Sequence, residues 1–431
     1  MQPPLAAEFH YQHDRLTVEQ VDLTQLADQL GTPCYIYSTA LLQRRIAECR
    51  VAFESRNIAI HYAMKANSNL SLLHLVAEQG LGVDIVSGGE LQRALRAGFA
   101  PQKIVFSGVG KSIAELSQAL DAGVGQINIE SAEEFALLRQ LAEHRQQPVN
   151  LALRVNPEVQ VDTHRHITTG SSGNKFGVPL GQAAALFRQA ADSEYLNLRG
   201  LAIHIGSQIR SSEPYQAAIT KLCALARQLQ ADGHPVELLD LGGGFGIDDG
   251  SGQALGFAEI AEVIINTVTE SCSGFSGRIA VEPGRSLVAE CGLLLSRVNY
   301  VKAAEPRPFL ILDAGMNDLM RPALYQAQHP LLPVRQPTTA EQRRFELVGP
   351  VCESTDTFAR DYPFTAEVKA GDLVAFSHAG AYSAVMCSTY NGRDLIPEVL
   401  VDGEQARLIR RRIDVQQMMA FEENGEGLIG V

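Results

Sequence analysis

The chain has 431 residues, which is enough for two or three domains at about 150 residues each. Its 36 basic and 49 acidic side chains give a formal net charge of −13, which excludes a broad electrostatic surface for nucleic acid or an anionic membrane. Apolar residues make up 45% and charged residues 20%, so collagenous and largely disordered chains are excluded as well.

The start of the chain and its cysteines indicate a compartment. The first residues, 1–14, lack the basic region and the apolar core of a signal peptide, and no stretch reaches the roughly 18 apolar residues of a membrane span. The seven cysteines contain no C-x-x-C pair, which favours reduced thiols over disulfides or a zinc site. We therefore expect a cytoplasmic protein that does not associate with membranes.

Short apolar runs alternate with longer amphipathic stretches from residue 58 to residue 282. This alternation is typical of a parallel sheet with crossover helices, and the helical patterns include 112–122, 132–144 and 215–230. Eight strands in a span of this size fit a closed (β/α)8 barrel better than an open doubly wound sheet. The predicted strands are 58–63, 82–86, 104–107, 126–129, 149–155, 198–203, 236–241 and 278–281.

Polar and glycine-rich residues recur directly after these predicted strands. The carboxyl ends of barrel strands form one rim, where active sites are built, so distant parts of the chain are expected to converge there. The residues concerned are Lys65, 87–90, Ser107, Glu130, Asn156, His204, 242–244 and Glu282.

The pattern after about residue 291 changes to strands and turns, including 293–302, 309–314, 345–351 and 372–376. The segment 398–408 predicts a hairpin with an Asp-Gly turn. We therefore predict a second, all-β domain of sandwich or barrel type. The first 35 residues fit either domain, and we assign them to the second, so that 36–288 forms the barrel and 1–35 with 289–431 forms the β domain.

Two segments at the predicted rim suit a phosphorylated cofactor. Lys65 follows the first strand, and a lysine with a lowered pKa can form a Schiff base through its neutral amine, although a lysine at a barrel rim is more often only a solvated charge. The glycine-rich segment 242–246 follows the seventh strand, and consecutive glycines let backbone N–H groups approach a phosphate. It does not match the dinucleotide fingerprint, because Ile247 stands at the third glycine position. A phosphate loop and a tight turn both fit this segment.

Charged and polar pairs follow two further strands. Glu282 can contact a cationic ring nitrogen and Arg285 can grip a carboxylate or phosphate, although a plain salt bridge beside a Pro-Gly turn fits equally. His204 can stack on a flat cofactor and Ser207 can donate to a phosphate, whereas a lone rim histidine is usually only a satisfied polar residue.

Two other groups of residues contain side chains capable of chemistry. His164 and His166 lie two residues apart without a carboxylate at a familiar ligand spacing, so no metal site is predicted. Cys352 stands beside Glu353 and can serve as a proton donor, although a buried inert cysteine is the commoner case.

Nine motifs, taken together and in this order, resemble those of the fold-type III pyridoxal-phosphate decarboxylases, and among them the group that acts on meso-diaminopimelate. The resemblance extends from about Pro33 to Val401, nearly the whole chain. The motifs are 62–67, 84–90, 175–177, 204–208, 242–246, 282–285, 316–325, 352–354 and 380–382.

The resemblance implies an alanine-racemase-like fold with pyridoxal 5′-phosphate as the cofactor. By motif, Lys65 would hold the cofactor as a Schiff base, Glu282 would pair with the pyridine nitrogen and keep it protonated, and His204 would stack on the ring. The other cofactor-binding residues implied are Asp84, Ser207, Gly243, Gly244, Gly246, Gly284, Arg285 and Tyr382.

The implied activity is the decarboxylation of meso-2,6-diaminopimelate to L-lysine and CO2, the last step of lysine biosynthesis. Cys352 would be the second catalytic residue and would protonate the carbon that loses CO2. The residues implied to bind the far end of this amino-acid substrate, or to line its site, are Arg285, Arg321, Tyr325, Glu353 and Tyr382.

The resemblance also implies a homodimer with shared active sites, because in this family the Cys-Glu-Ser loop reaches the neighbouring subunit's site. Two departures concern substrate fit. The chain has His166 where relatives usually have tyrosine, and Thr355 where they have glycine.

Rival activities within the fold are decarboxylation of ornithine, arginine or a carboxylated polyamine precursor. Those relatives typically carry a Cys-Thr-Pro loop and acidic residues for a distal cation, in contrast to Arg321 and the Cys-Glu-Ser sequence 352–354. Alanine racemase shares the fold but would not need Cys352. A non-catalytic cofactor-binding protein would typically lack the lysine, the thiol or the second domain.

Overall fold

A computed structural model describes residues 5–159, 174–248 and 254–423. The chain divides into two compact units. One, the barrel unit, is built from Arg44–Asp248 and Gly252–Leu287; the other, the β unit, contains Met1–Gln43 and Val288–Val431. The domain boundaries 36–288 for the barrel and 1–35 with 289–431 for the β domain stay a prediction.

The barrel unit contains eight parallel strands that close into a ring. Consecutive strands pair in chain order, the eighth pairs with the first through Val281 and Ile60, and the fourth pairs with the fifth through Ile127 and Leu151. The predicted eight-stranded barrel is thereby confirmed. Its strands are Ile58–Ala63, Gly82–Ile85, Ile104–Phe106, Gln126–Ile129, Val149–Asn156, Leu196–Ala202, Leu238–Asp240 and Arg278–Val281.

Helices connect these strands, and their ends follow local sequence signals. Ser112 caps one helix, exchanging hydrogen bonds with Glu115 in a capping box, and Gly123 ends it in the left-handed region at φ 67°. Val178–Pro179 adds a short strand beside the fifth barrel strand. The barrel helices are Leu70–Glu78, Gly88–Arg96, Ile113–Ala122, Ala132–Arg145, Ala183–Ala191, Glu213–Ala231 and Phe257–Ser271; Thr39–Glu54 and Arg285–Val288 cross the unit boundaries.

The β unit is built on a mixed sheet. Its strand order is Thr357–Thr365, Gln342–Val348, Phe309–Leu312, Gly292–Lys302, Cys34–Ser38, Glu398–Asp402 and Gln405–Arg410. The long strand Gly292–Lys302 also pairs with Leu373–Phe376, which in turn pairs with Leu331–Pro333. The predicted hairpin is present, with Gly403 at φ 60° in its turn.

Smaller elements complete the β unit. A three-stranded sheet of Phe9–Gln12, Arg15–Val18 and Val21–Asp22 precedes the helix Leu23–Leu30. The helices Arg321–Tyr325 and Val415–Glu423 are further additions to a unit whose sequence suggested strands alone. Among the helices that the structure describes, none combines the length and apolarity that crossing a membrane requires.

Candidate active site

Lys65 lies at the rim of the barrel, in the single turn Met64–Ala66 that follows the first strand. Its Nζ is 3.6 Å from Oδ2 of Asp84 on the second strand. Asp84 is only 1% exposed, and burial raises the pKa of its carboxyl group although Lys65 opposes the shift. The structure thus brings together the predicted lysine and the predicted aspartate.

Two further carboxyl groups lie at the ends of the last two barrel strands. Glu282 is 6% exposed, and burial, reinforced by Asp240 and Asp84, raises its pKa well above the usual range. Burial likewise raises the pKa of Asp240 to about 6. Several buried carboxyl groups close together favour a nearby cation, because ionising a buried carboxyl group without one costs free energy.

His204 follows the sixth strand and is half-buried. Its Nδ1 accepts a hydrogen bond from the N–H of Gly243 at 3.3 Å, which places the ring proton on Nε2. Burial, together with the cations Lys65 and Arg154, holds its pKa well below the usual range. The ring is therefore neutral and presents a flat face suited to stacking.

The glycine loop after the seventh strand is shaped by close backbone approaches. A Cβ on Gly243 would lie 2.1 Å from the carbonyl oxygen of Glu282, and one on Gly244, whose φ is 89°, would lie 2.3 Å from that of Gly206. Larger residues would displace these backbone segments. The N–H of Gly246 donates a hydrogen bond to the carbonyl oxygen of Ile209 at 3.0 Å. The amide of Gly246, like that of Gly243, therefore has an acceptor within the protein.

The amides of Gly243 and Gly246 therefore both have protein acceptors in this structure. The cofactor-binding roles of Gly243, Gly244 and Gly246 stay predictions.

Arg285 and Ser207 form a polar pair at the same rim. The Nη2 of Arg285 donates to Oγ of Ser207 at 3.0 Å, and Arg285 is 7% exposed. Gly284 lets this segment approach the first strand, because its Cβ would lie 3.0 Å from that of Ala63. Ser207 and Arg285, two of the side chains predicted to bind the phosphate, therefore lie together, next to the strand that carries Lys65.

Sequence reasoning missed a buried ion pair between neighbouring strands. Arg154 Nη1 lies 2.8 Å from Oε1 of Glu130, and their side chains are 11% and 1% exposed. Arg154 lowers the pKa values of Asp84 and Glu282, although burial outweighs it in both. An arginine inside a largely apolar predicted strand was the sequence signal that could have identified this ion pair.

In the β unit, Cys352 and Glu353 are exposed and held by one turn. The N–H of Cys352 donates to Oδ1 of Asn391 at 2.7 Å, and the hydroxyl of Tyr390 donates to Oε1 of Glu353 at 2.8 Å. Asn391 has a φ of 59°, a conformation that asparagine tolerates. The turn Tyr390–Gly392 therefore fixes both predicted residues, and no motif had singled it out.

Asp356 links the loop of Cys352 to the segment that leads to Arg321. Its carboxylate accepts from the N–H of Val351 at 2.7 Å and from that of Met316 at 2.6 Å. Thr355 lies outside the left-handed φ region, so the backbone at this position does not require a glycine.

The other predicted residues of the β unit lie on short elements. Arg321 begins the helix Arg321–Tyr325 and is 8% exposed, whereas Tyr325 ends it half-buried. Tyr382 has a φ of 53° and is half-buried. The turn before it packs tightly, since a Cβ on Gly380 would lie 1.8 Å from the carbonyl oxygen of Val288.

The histidine pair of the sequence analysis, His164 and His166, lies outside the described residues. Within the three described ranges, no group of three histidine, cysteine, aspartate or glutamate side chains is arranged to hold a metal ion.

Comparisons with known proteins agree with this arrangement. Residues 39–289 match the family model described as the pyridoxal-binding domain of pyridoxal-dependent decarboxylases. A diaminopimelate decarboxylase from Zymomonas mobilis is 41% identical, with 97% of this chain and 99% of that protein aligned. Its counterpart from Pseudomonas aeruginosa is 42% identical, covering 96% and 98%.

A solved structure gives the same result. The diaminopimelate decarboxylase of Helicobacter pylori, crystallised with L-lysine, superposes with a TM-score of 0.88 at 38% identity, over 94% of this chain and 100% of that one. This likeness covers both units, and the identity is far above the level at which a shared fold alone is indicated. The chain therefore belongs to the diaminopimelate decarboxylase family of pyridoxal-dependent decarboxylases.

Proposed function

We propose that this chain decarboxylates meso-2,6-diaminopimelate to L-lysine and CO2 with pyridoxal 5′-phosphate as its cofactor. The observation that carries the proposal is Lys65 at the barrel rim, 3.6 Å from the buried Asp84 and surrounded by further buried acids. Relatives of that name, 41% and 42% identical over nearly the full chain, support the substrate.

The barrel residues fit this cofactor. Glu282 is buried with an Oε1 that accepts no hydrogen bond within the described chain, as expected of a carboxylate that meets a protonated ring nitrogen. When bound, the cofactor supplies an electron-poor ring that accepts the electron pair of the bond to the departing carboxylate. Lys65 would hold it covalently through Nζ, and Glu282 would keep the ring nitrogen protonated.

The other cofactor contacts follow from side-chain chemistry. The neutral, flat ring of His204 would stack on the cofactor ring, and the carboxylate of Asp84 would hold Lys65 in position. Ser207 and Arg285, which already share a hydrogen bond of 3.0 Å, would hold the phosphate with Tyr382. Gly243, Gly244, Gly246 and Gly284 would give the surrounding backbone its shape.

Substrate recognition falls to residues with charges opposite to those of an amino-acid group. Arg321 would bind the far carboxylate bidentately and Glu353 the far ammonium group. Arg285, Tyr325 and Tyr382 would complete the substrate site. Cys352 would donate its thiol proton to the carbon that has lost CO2.

We also propose the assembly and domain roles that the family implies. Residues 36–288 would form the cofactor-binding domain, 1–35 and 289–431 the β domain, and two chains would form a homodimer with shared sites. The exposed position of Cys352 and Glu353 supports sharing, because a proton donor works best where water is excluded. A cytoplasmic location stays a prediction from the cysteines.

The decisive experiment is CO2 release from meso-diaminopimelate, ornithine, arginine and lysine by the cofactor-loaded enzyme. We expect turnover of meso-diaminopimelate to exceed that of the other three by orders of magnitude. Preferred release from ornithine or arginine would replace the proposal with the rival activity, and release from none would indicate a non-catalytic cofactor-binding protein.

A heterodimer tests the shared site. Chains carrying Lys65→Ala and Cys352→Ala are each expected to be inactive as homodimers. A heterodimer purified with two different tags would contain one intact site and recover about half the wild-type activity. A verified heterodimer without activity would contradict the shared site.

A further inference from the structure

His329 lies buried in the β unit between Arg321 and the backbone of Ser377. Arg321 and His329 are 8% and 6% exposed. The imidazole Nε2 is 2.9 Å from Nη1 of Arg321, and Nδ1 is 3.1 Å from the carbonyl oxygen of Ser377. The histidine thus bridges a predicted substrate-binding arginine and the main chain.

The chemistry of the two neighbours fixes the protonation of this ring. A guanidinium group only donates hydrogen bonds and a carbonyl oxygen only accepts them. Nε2 of His329 must therefore accept from Arg321, and Nδ1 must carry the proton that it donates to Ser377. A protonated ring would place two cations 2.9 Å apart, so the neutral form is the one that fits.

The main-chain end of this bridge is firmly anchored. Ser377 directly follows the strand Leu373–Phe376, which pairs on both sides. Its N–H donates to the carbonyl of Pro330 at 2.9 Å, and its hydroxyl donates to the same oxygen at 3.3 Å. His329 therefore connects Arg321 to the central sheet of the β unit.

Arg321 needs such a connection because its own element is small. The helix Arg321–Tyr325 has five residues, too few to be stable by itself in water. A bidentate grip on a carboxylate requires the planar guanidinium to be held in one orientation. The hydrogen bond to His329 engages one N–H and directs the others.

We propose that His329 is a positioning residue for substrate recognition, which orients the guanidinium of Arg321 toward the far carboxylate of the substrate. The proposal rests on the substrate-binding role proposed above for Arg321. His329 itself touches neither substrate nor cofactor in this scheme. It sets selectivity for an amino-acid group over a plain amine.

A matched pair of variants isolates the bond to Arg321. In His329→Gln, the amide oxygen can take the place of Nε2 and still accept from Arg321. In His329→Asn, the shorter amide can donate to Ser377 but does not reach Arg321. Both variants keep a buried polar side chain, and they differ in which end of the bridge they retain: Gln keeps the bond to Arg321, and Asn keeps the bond to Ser377.

The readout is competitive inhibition of the cofactor-loaded enzyme by L-lysine and by 1,5-diaminopentane, which differ only in the carboxylate. A hydrogen bond that orients a charged group is worth about tenfold to 100-fold in affinity. We expect His329→Asn to lower the affinity for L-lysine by about tenfold or more, and to change the affinity for 1,5-diaminopentane by less than about twofold. His329→Gln should recover most of the L-lysine affinity, and KM should change more than kcat.

Several results would overturn the proposal. If a variant loses affinity for both inhibitors equally, or if His329→Asn and His329→Gln have equal effects, then His329 has only a structural role. Arg321→Ala separates the two proposals. If that variant leaves L-lysine inhibition unchanged, the proposed role of Arg321 fails, and that of His329 with it. If Arg321→Ala selectively abolishes L-lysine inhibition while His329→Asn does not, only the positioning role fails.

Discussion

Strand-end residues of the barrel unit and loop residues of the β unit are held in different ways. In the barrel, Asp84, Glu282 and Arg285 are between 1% and 7% exposed and lie at the ends of strands that form a closed ring. In the β unit, Cys352 and Glu353 are exposed on a loop and are fixed by hydrogen bonds from a neighbouring turn. Burial positions the first group, and local hydrogen bonds position the second.

The difference has an energetic consequence. Burial raises the pKa values of Asp84, Asp240 and Glu282, so ionising these acids is costly until a cation is nearby. The pair Cys352 and Glu353 is exposed to solvent instead. Cofactor binding is therefore expected to stabilise the barrel unit, whereas the loop of Cys352 depends on its hydrogen-bonding neighbours and, in our proposal, on a second subunit.

The largest effect is expected at Lys65. Lys65→Ala should abolish CO2 release, because the covalent attachment of the cofactor depends on this amine. Borohydride reduction followed by mass spectrometry should find the cofactor on the wild-type chain and not on the variant. Lys302→Ala, an exposed lysine of the β unit, is the control and should retain the adduct. An adduct that survives in Lys65→Ala would refute the assignment.

The second largest effect on activity is expected at Cys352. Cys352→Ala is expected to lower kcat by about 10²-fold to 10⁴-fold, the usual contribution of a positioned proton donor. The absorbance of the bound cofactor should be unchanged, since the barrel residues are intact. Ser354→Ala alters an exposed neighbour in the same loop and should leave kcat near normal. Wild-type turnover in Cys352→Ala would exclude it as the donor.

The sequence predicted the barrel well because its strands are separated by a regular alternation of apolar runs and amphipathic helices. The first, fourth and eighth strands begin and end as expected, and the rim positions of Lys65, His204 and Glu282 follow from them. Local signals of this kind need no knowledge of distant contacts.

The supporting residues could not be predicted in this way. Asn391 contacts Cys352 from 39 positions away, and His329 contacts Ser377 from 48 positions away. Neither contact leaves a periodic pattern, and both depend on how loops of the β unit pack. The engaged amides of Gly243 and Gly246 were missed for the same reason, since their acceptors lie on other strand ends.

A smaller effect is expected at the turn that holds Glu353. Tyr390→Phe removes only the hydroxyl that donates to Oε1 of Glu353 at 2.8 Å. Because the pair is exposed, we expect KM for meso-diaminopimelate to rise by about threefold, with kcat nearly unchanged. Tyr300→Phe, at a tyrosine that is 67% exposed, is the control. An unchanged KM in Tyr390→Phe would show that the turn does not orient Glu353.

A last effect concerns folding stability rather than turnover and tests whether burial raises the pKa of a carboxyl group outside the barrel's cluster of acids. Burial raises the pKa of Asp318, in the β unit, from 3.8 to about 7, and Asp313 and Asp356 add to the shift. Between these two pH values the folded chain retains a proton that the unfolded chain has lost. The contribution of Asp318 to stability is therefore complete at low pH and declines as pH rises to about 7.

Asp318→Asn cannot ionise and should lack this decline. The free energy of unfolding of the wild type, relative to the variant, should fall by up to about 1.4 kcal/mol for each pH unit across that window. Thermal unfolding measured at several pH values tests this. Asp402→Asn, at an exposed position of the hairpin, should follow the wild-type profile. If Asp318→Asn also runs parallel to the wild type, burial does not raise the pKa of Asp318.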